Sequence, residues 1–398
     1  MTELNTKRVV IASGGTGGHF YPGLALANEL RSRGGWEPLF LVKKGDISIS
    51  SLQENYYPYA EIDMVALPRS MNPAAHLAFM WRAAASLALC RRVIRDFKPV
   101  LVFGTGSYIS FPAALAAYFT GVPAMIHESN AKFGLGNRLC ARFVTKIALG
   151  LPIKDNPFKA RSELTGTPIR AAFSSSADPA AARERLGFKE GAPVILVFGG
   201  SQGARRLNRA AASAFKKLKT DGTAFQVLHV AGKKDYAETL RFYYELGLAG
   251  PPPEEFTHRR EPQPVSPYGA PGLKVLDYCE DMNSLYAAAD LVCCRAGAGT
   301  IAELLQLRKP SILVPLPSSA AGHQLENAGV LTGAGAAVTI EETQALEERL
   351  AEEIGRLLAG PAALAAMRAN FTALKDLPDP TRAAANIVAA MEKILVPA

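Results

Sequence analysis

The stretch Ile11-Ala12-Ser13-Gly14-Gly15-Thr16-Gly17-Gly18-His19-Phe20-Tyr21-Pro22 decides the fold. It follows the apolar run Arg8-Val9-Val10-Ile11, which reads as a buried parallel strand. It precedes residues 24–30, whose apolar positions recur at helical spacing. Four glycines between strand and helix let the backbone approach a ligand closely and turn amide N–H groups outward. The helix N-terminus behind them adds about half a positive charge. Such a turn is a phosphate-binding device, and it carries His19 at its edge. A tight turn that only needs positive φ would also use glycine, but so many of them, with a histidine, favour the phosphate reading.

The same logic returns in the second half of the chain. Val194-Ile195-Leu196-Val197-Phe198 runs into Gly199-Gly200-Ser201-Gln202-Gly203, and a helical pattern follows. Further strand-length apolar runs stand at 38–42, 99–103, 123–127, 146–149, 226–230, 274–276, 290–294, 311–314 and 336–340. Their alternation with helical patterns predicts an α/β protein of two doubly wound halves with parallel sheets. Ligands of such sheets bind beyond the carboxyl ends of the strands, so two facing halves would create an interdomain cleft. The boundary falls near Thr165-Gly166-Thr167-Pro168-Ile169-Arg170, which gives domains at 1–168 and 169–378. A Pro-rich, charged stretch at 250–272 reads as an irregular insertion.

A chain of 398 residues with 48% hydrophobic and 20% charged residues fits about two globular domains. The longest uncharged stretch, 99–126, is broken by Gly, Pro, Ser and Thr, so a transmembrane span is not expected. The first residues lead into a strand without an apolar signal segment, which predicts a cytoplasmic protein. Five scattered cysteines, with Cys293 and Cys294 in apolar settings, predict reduced thiols. The net charge of +8 suggests an anionic partner. No RNP-like motif, zinc-finger spacing or long basic run points to nucleic acid.

Other groups cluster at strand ends. Gly104-Thr105-Gly106-Ser107-Tyr108 forms a second Gly-rich turn in the first half, suiting a diphosphate gripped from two sides, or an ordinary βα turn. His127-Glu128-Ser129-Asn130 ends another strand; one of its side chains is expected at the ligand edge, although a supporting histidine fits equally. In the second half, Thr300 or Gly299 suits a helix cap, and Thr300-x-x-Glu303 reads as a capping box or as a carboxylate for the two hydroxyls of a ribose. Gln324 and Asn327 share a helix face, and amides suit sugar hydroxyls. Gly199-x-Ser201-x-Gly203 also fits a hydrolase nucleophile elbow, with Asp290 and His323 downstream. The opening turn has Thr16 at the matching position and suggests no nucleophile, which favours phosphate binding. Lys43-Lys44 stand after the second strand where a nicotinamide-dinucleotide site needs an acid, and no Asp-x-Asp is present to hold a metal–nucleotide complex. Residues 73–92 read as a helix apolar on more than one side, with Leu77, Met80 and Trp81 in one stripe and Phe79 off it. A core helix and a helix resting on an anionic bilayer both fit.

These motifs together resemble the MurG family of glycosyltransferases, over residues 7 to the last helix. They are Gly14–Gly18 with His19 and Pro22-Gly23, Gly104-x-Gly106-x-Tyr108, His127-Glu128-x-Asn130, Thr165-Gly166-x-Pro168-x-Arg170, Gly199–Gly203 with Ala204, and Arg295-x-Gly297-Ala298-x-Thr300-x-x-Glu303. The resemblance implies a GT-B fold whose final helix, about 379–398, returns to the N-terminal domain. It implies inverting, metal-independent transfer of N-acetylglucosamine from UDP-N-acetylglucosamine to the C4 hydroxyl of the muramyl sugar of lipid I, in peptidoglycan synthesis. No cofactor is implied. Gly14, Gly15, Gly104, Gly106 and Tyr108 would hold the acceptor's diphosphate. Thr16, Gly17, Gly18, Asn130, Arg170, Ser201, Cys279, Glu303 and Gln324 would bind the donor, with His323 nearby. His19 would be the general base, with Glu128 as the other candidate. The implied location is the cytoplasmic face of the inner membrane, peripherally bound, with lipid I, an anionic membrane surface and cell-wall synthesis proteins as partners. Ser107, where the family often has Gly, and the long 250–272 stretch depart from the pattern.

Overall fold

The computed structural model describes residues 6–396 except 16, 47, 65–71, 176, 201–202, 252–267 and 320–321. The chain divides into two units, Met1–Ala171 with Leu377–Ala398, and Ala172–Asp376. The expected boundary at 168/169 lies three residues before the observed one.

Among the described residues each unit is built on a seven-stranded sheet. In the first, the strands are β1 (Lys7–Ala12), β2 (Trp36–Lys43), β3 (Tyr59–Ile62), β4 (Leu101–Gly104), β5 (Ala124–Glu128), β6 (Lys146–Leu149) and β7 (Ser162–Leu164). They are all parallel, in the order β3-β2-β1-β4-β5-β6-β7. In the second, the strands are β8 (Val194–Phe198), β9 (Gln226–Val230), β10 (Tyr268–Ala270), β11 (Leu273–Leu276), β12 (Leu291–Cys294), β13 (Ser311–Leu313) and β14 (Ala337–Thr339). Their order is β10-β11-β9-β8-β12-β13-β14, with only the β10–β11 pair antiparallel among the described strands. Central strands such as β4, β5, β8 and β12 are buried along their whole length, because helices cover both faces.

Among the parallel strands each order reverses direction once, between β1 and β4 and between β8 and β12. At such a switch point the chain leaves neighbouring strands toward opposite faces, which opens a crevice at their carboxyl ends. The three Gly-rich turns identified in the sequence leave β1, β4 and β8, and the Gly297-Ala298-Gly299 segment leaves β12. In the first unit the helix Ala383–Leu395 packs on the helix Gly17–Arg33, with Ile387, Val388, Ala390 and Met391 buried. That is the return to the N-terminal domain that the resemblance implied for the chain's end.

Candidate active site

The first Gly-rich turn is shorter than the sequence suggested. The helix begins at Gly17, so Gly17, Gly18 and His19 form its first turn and hold amides without intrahelical acceptors. Gly14 and Gly15 lie at φ 146° and 92°, a region L side chains rarely adopt. Beneath them the buried Ser13 hydroxyl donates to the His19 carbonyl at 2.9 Å. A Cβ on Gly23 would stand 2.5 Å from that hydroxyl oxygen, which is why the helix can press onto the turn only with glycine there. Thr16 lies outside the described residues.

The His19 ring reaches the second turn, with Nδ1 3.0 Å from the Thr105 carbonyl oxygen. A carbonyl only accepts, so Nδ1 carries the proton and the neutral ring keeps its lone pair on Nε2. The Thr105 amide in turn donates to the Ala12 carbonyl at 3.0 Å, which ties β1's end to β4's. Gly104 and Gly106 are demanded by packing. A Cβ on Gly104 would sit 2.8 Å from Ser110, and one on Gly106, at φ 92°, 2.6 Å from Asn137 Nδ2. Tyr108 is half-buried against the core beneath this turn.

Glu128 ends β5 and is buried. Its Oε1 accepts from the Asn130 amide and Nδ2 at 3.0 and 2.9 Å, and its Oε2 accepts from the Gly134 amide and Asn137 Nδ2 at 2.9 and 2.8 Å. Four donors saturate a carboxylate buried away from solvent, so Glu128 holds the loop after β5 and does not suit the general-base role considered for it. The same bonds orient Asn130. His127 is also internal: its Nε2 donates to the Gly166 carbonyl at 3.0 Å, and Nδ1 accepts from Ser129 Oγ at 3.1 Å. Burial holds its pKa below the ordinary imidazole range, so this histidine is a neutral support. Arg170 places its guanidinium 5.6 Å from the Tyr21 ring centroid, one turn along the His19 helix.

In the second unit the turn after β8 follows the same rules. A Cβ on Gly199 would lie 2.2 Å from that of Ala204, and one on Gly203, at φ 79°, 2.6 Å from Asp235 Oδ2. Ser201 lies outside the described residues. After β12 the helix is Ala298–Leu307 with Gly297 at its cap and no side-chain cap bond, which corrects the expected Thr300 or Gly299 cap. Glu303 is therefore one turn further in, and no capping box forms. Its Oε2 accepts from the Tyr286 hydroxyl at 2.9 Å, and Tyr286 is itself fixed by edge-on contacts with Phe198 and Phe173. Removal of the cap reading leaves a half-exposed carboxylate at a strand-end helix.

Arg295 is buried, donates to the Val314 carbonyl at 3.1 Å and pairs with Glu342, so it braces the loop after β13. From the helix after that loop, Gln324 Oε1 accepts from the loop's Leu316 amide at 2.9 Å, which turns its NH₂ group outward as a donor. Asn327 is buried and bonds the Ala296 carbonyl at 3.0 Å, so it supports the site from inside. Cys279 is partly exposed beside Tyr278, whose ring has the Lys233 ammonium 4.8 Å from its centroid. His323 is the first residue of the helix His323–Gly333. Asp290, weighed as a member of a hydrolase triad, instead pairs with Arg183 at 2.7 Å at the opposite end of β12 from the Gly-rich turns.

Sequence reasoning missed Asp46, Asn137 and Tyr286. Asp46 accepts from the Gly15 amide at 2.7 Å and from Ser48 N and Oγ at 2.9 and 2.7 Å, so it stiffens the first turn. An acid thus does stand beyond β2, three residues past the lysine at its end, where only Lys43-Lys44 had been weighed. Asn137 and Tyr286 gave no sequence signal, because each acts through partners distant along the chain.

Residues 9–149 match the glycosyltransferase family 28 N-terminal domain and residues 194–379 its C-terminal domain. A protein of Elusimicrobium minutum named UDP-N-acetylglucosamine–N-acetylmuramyl-(pentapeptide) pyrophosphoryl-undecaprenol N-acetylglucosamine transferase is 36% identical over 98% of this chain and 100% of its own. The Halothermothrix orenii protein of the same name is 35% identical over 88% of this chain and 90% of its own. The chain belongs to the MurG family of glycosyltransferases. The crystal structure of Acinetobacter baumannii MurG, 25% identical, superposes with a TM-score of 0.73 over 97% of this chain and 99% of that one. A Staphylococcus aureus MnaA–UDP structure, 12% identical with a TM-score of 0.65, shares the fold. The two-domain GT-B architecture is thereby established, and the chain is an enzyme of hexosyl transfer.

Proposed function

We propose that this enzyme transfers N-acetylglucosamine from UDP-N-acetylglucosamine to the C4 hydroxyl of lipid I's muramyl sugar, with inversion and without a metal. The substrates come from the names its relatives carry. The observation that supports the chemistry is the His19–Thr105 hydrogen bond, which leaves Nε2 as a proton acceptor between two Gly-rich turns. In this reading the turns after β1 and β4 hold the acceptor's diphosphate. Nε2 takes the C4 hydroxyl proton as that oxygen bonds to C1 of the donor sugar. The C1–oxygen bond to UDP breaks with its electron pair, and displacement from the opposite face inverts C1. Helix-start amides, Arg170 and Ser201 stabilise the departing diphosphate where a metal would otherwise be needed. Glu303 takes the ribose hydroxyls, the backbone at Cys279 borders the uracil, and the Gln324 amide donates to the sugar.

The membrane reading rests on the helix Pro73–Phe97. Its Leu77, Met80 and Trp81 side chains are 70%, 65% and 77% exposed, which overturns the core reading for that stripe. Phe79, Leu87, Leu89 and Val93 pack inward. Exposed Tyr118, Phe119 and Leu135 extend the apolar surface in the same unit, and Arg91 lies 5.7 Å from the Phe119 ring centroid. In this reading the enzyme rests on the anionic cytoplasmic face of the membrane that carries lipid I. Among the described residues no single helix is long and apolar enough to cross a membrane.

The test is transfer of labelled N-acetylglucosamine to a lipid I analogue in excess chelator, with the new linkage read by NMR. A β-linked product from the α-linked donor, formed at an undiminished rate, is expected. A retained α linkage, or activity restored only by Mg²⁺ or Mn²⁺, overturns the proposed mechanism.

A further inference from the structure

At the opposite end of the second sheet from its Gly-rich turns lies a cavity of about 350 Å³. That is within the range of roughly 300–1,000 Å³ that takes small molecules. Asp290 enters it from just before β12, and Arg308 and Lys309 from just before β13. Arg183 comes from the helix Pro179–Arg185 and Arg368 from the helix Pro361–Asn370. The rest of the lining is largely alanine, proline and leucine. The strands separate this cavity from the groups assigned to nucleotide binding.

The charges do not balance. Asp290 is the one carboxylate in the lining, and it is committed to Arg183 at 2.7 Å and to the Val194 amide at 2.8 Å. Arg183 also donates to the Ala288 carbonyl at 2.9 Å, and Lys309 to the Ala289 carbonyl at 2.7 Å. The side chain of Arg308, at φ 48° behind the helix Ala298–Leu307, makes no hydrogen bond or ion pair among the described residues, and neither does that of Arg368. Three cations thus converge with no counter-charge of their own. Burial, with the repulsion of Arg368 and Arg183 and against the attraction of Asp290, brings the Lys309 ammonium down to about 8. Bracing a helix end needs one such cation, and here one lysine already does that.

We propose that this cavity binds a small phosphate-bearing molecule of at least two negative charges, held by Lys309, Arg308 and Arg368. Guanidinium forks match phosphate oxygens two at a time, and a dianion relieves the repulsion that Arg368 and Arg183 exert on the Lys309 ammonium. The surrounding apolar lining leaves room for a short organic group on the phosphate.

Inorganic pyrophosphate is the probe, titrated calorimetrically into the full chain with UDP already saturating. Saturable binding is expected, weakened at least tenfold in Arg368→Glu and in Arg308→Glu. Both side chains are exposed and unbonded within the described residues, so their replacement leaves folding intact, which a melting curve checks. No binding to the wild-type chain, or equal binding to both variants, overturns the proposal. Should UDP itself fail to bind, the donor reading fails separately, and the two arginine variants still decide this one.

Discussion

Glu128 and Glu303 carry the same carboxylate at the ends of the two sheets, and their surroundings give them opposite uses. Glu128 is buried under four N–H donors and keeps a loop in place, whereas Glu303 meets the Tyr286 hydroxyl and remains partly exposed. If Glu303 takes the ribose diol, Glu303→Gln raises KM for UDP-N-acetylglucosamine by about tenfold, since a hydrogen bond to a charged group contributes about 1.5–3 kcal/mol. Steady-state kinetics check this, with kcat changing by less than about threefold on the same reasoning, because the ribose is remote from the reacting carbon. An unchanged KM contradicts the assignment. A second residue-scale prediction concerns His229, buried between Asn208 Oδ1 at 3.0 Å and the Tyr243 hydroxyl at 2.8 Å. Burial depresses its pKa to about 3. The folded state stays neutral while the unfolded chain takes up a proton below its ordinary value of about 6.5. Stability is therefore full above that value and falls by about 1.4 kcal/mol per pH unit below it. Denaturant titrations between pH 7 and 5 should show this slope, reduced in His229→Gln; equal slopes in both proteins contradict it.

At the scale of elements, the strands legible in the sequence are the central ones and one edge strand, β14. Eleven apolar runs correspond to β1, β2, β4, β5, β6, β8, β9, β11, β12, β13 and β14, shifted by a residue or two at their ends. The three without a signal, β3, β7 and β10, are all sheet edges, three or four residues long. An edge strand is covered on fewer sides and needs no continuous apolar run. The glycine turns were legible because backbone geometry leaves no alternative residue there. The helix start after β12 was not, since Gly297 caps that helix without a side-chain bond that a sequence could display. The insertion expected at 250–272 falls mostly outside the described residues, apart from its ends, where β10 begins at Tyr268. The helix Pro73–Phe97 carries a prediction of its own. Its pattern was ambiguous because the N-terminal half exposes what the C-terminal half, with Cys90 and Ile94, buries. Leu77→Glu with Trp81→Glu should lower co-sedimentation with anionic vesicles at least tenfold, since burying each such side chain contributes about 1.5–3 kcal/mol. Undiminished co-sedimentation contradicts membrane docking through this helix.

At the scale of the molecule, two copies of one architecture carry different chemistry. Each sheet reverses order at a pair of central strands and places Gly-rich turns at their ends. The first unit adds a histidine with a fixed tautomer, and the second a carboxylate and an outward amide. The net charge of +8 suits substrates that are both diphosphates. Family membership follows from the order of all these motifs together, which no single turn could supply. The central claim is that His19 removes the acceptor's proton in this transfer. Single-turnover transfer of labelled N-acetylglucosamine to a lipid I analogue, comparing wild type with His19→Ala at saturating donor, measures it most directly. The account predicts a rate lowered by about 10²–10⁴-fold, as loss of a general base gives, with UDP affinity unchanged. Transfer by His19→Ala at the wild-type rate would contradict it.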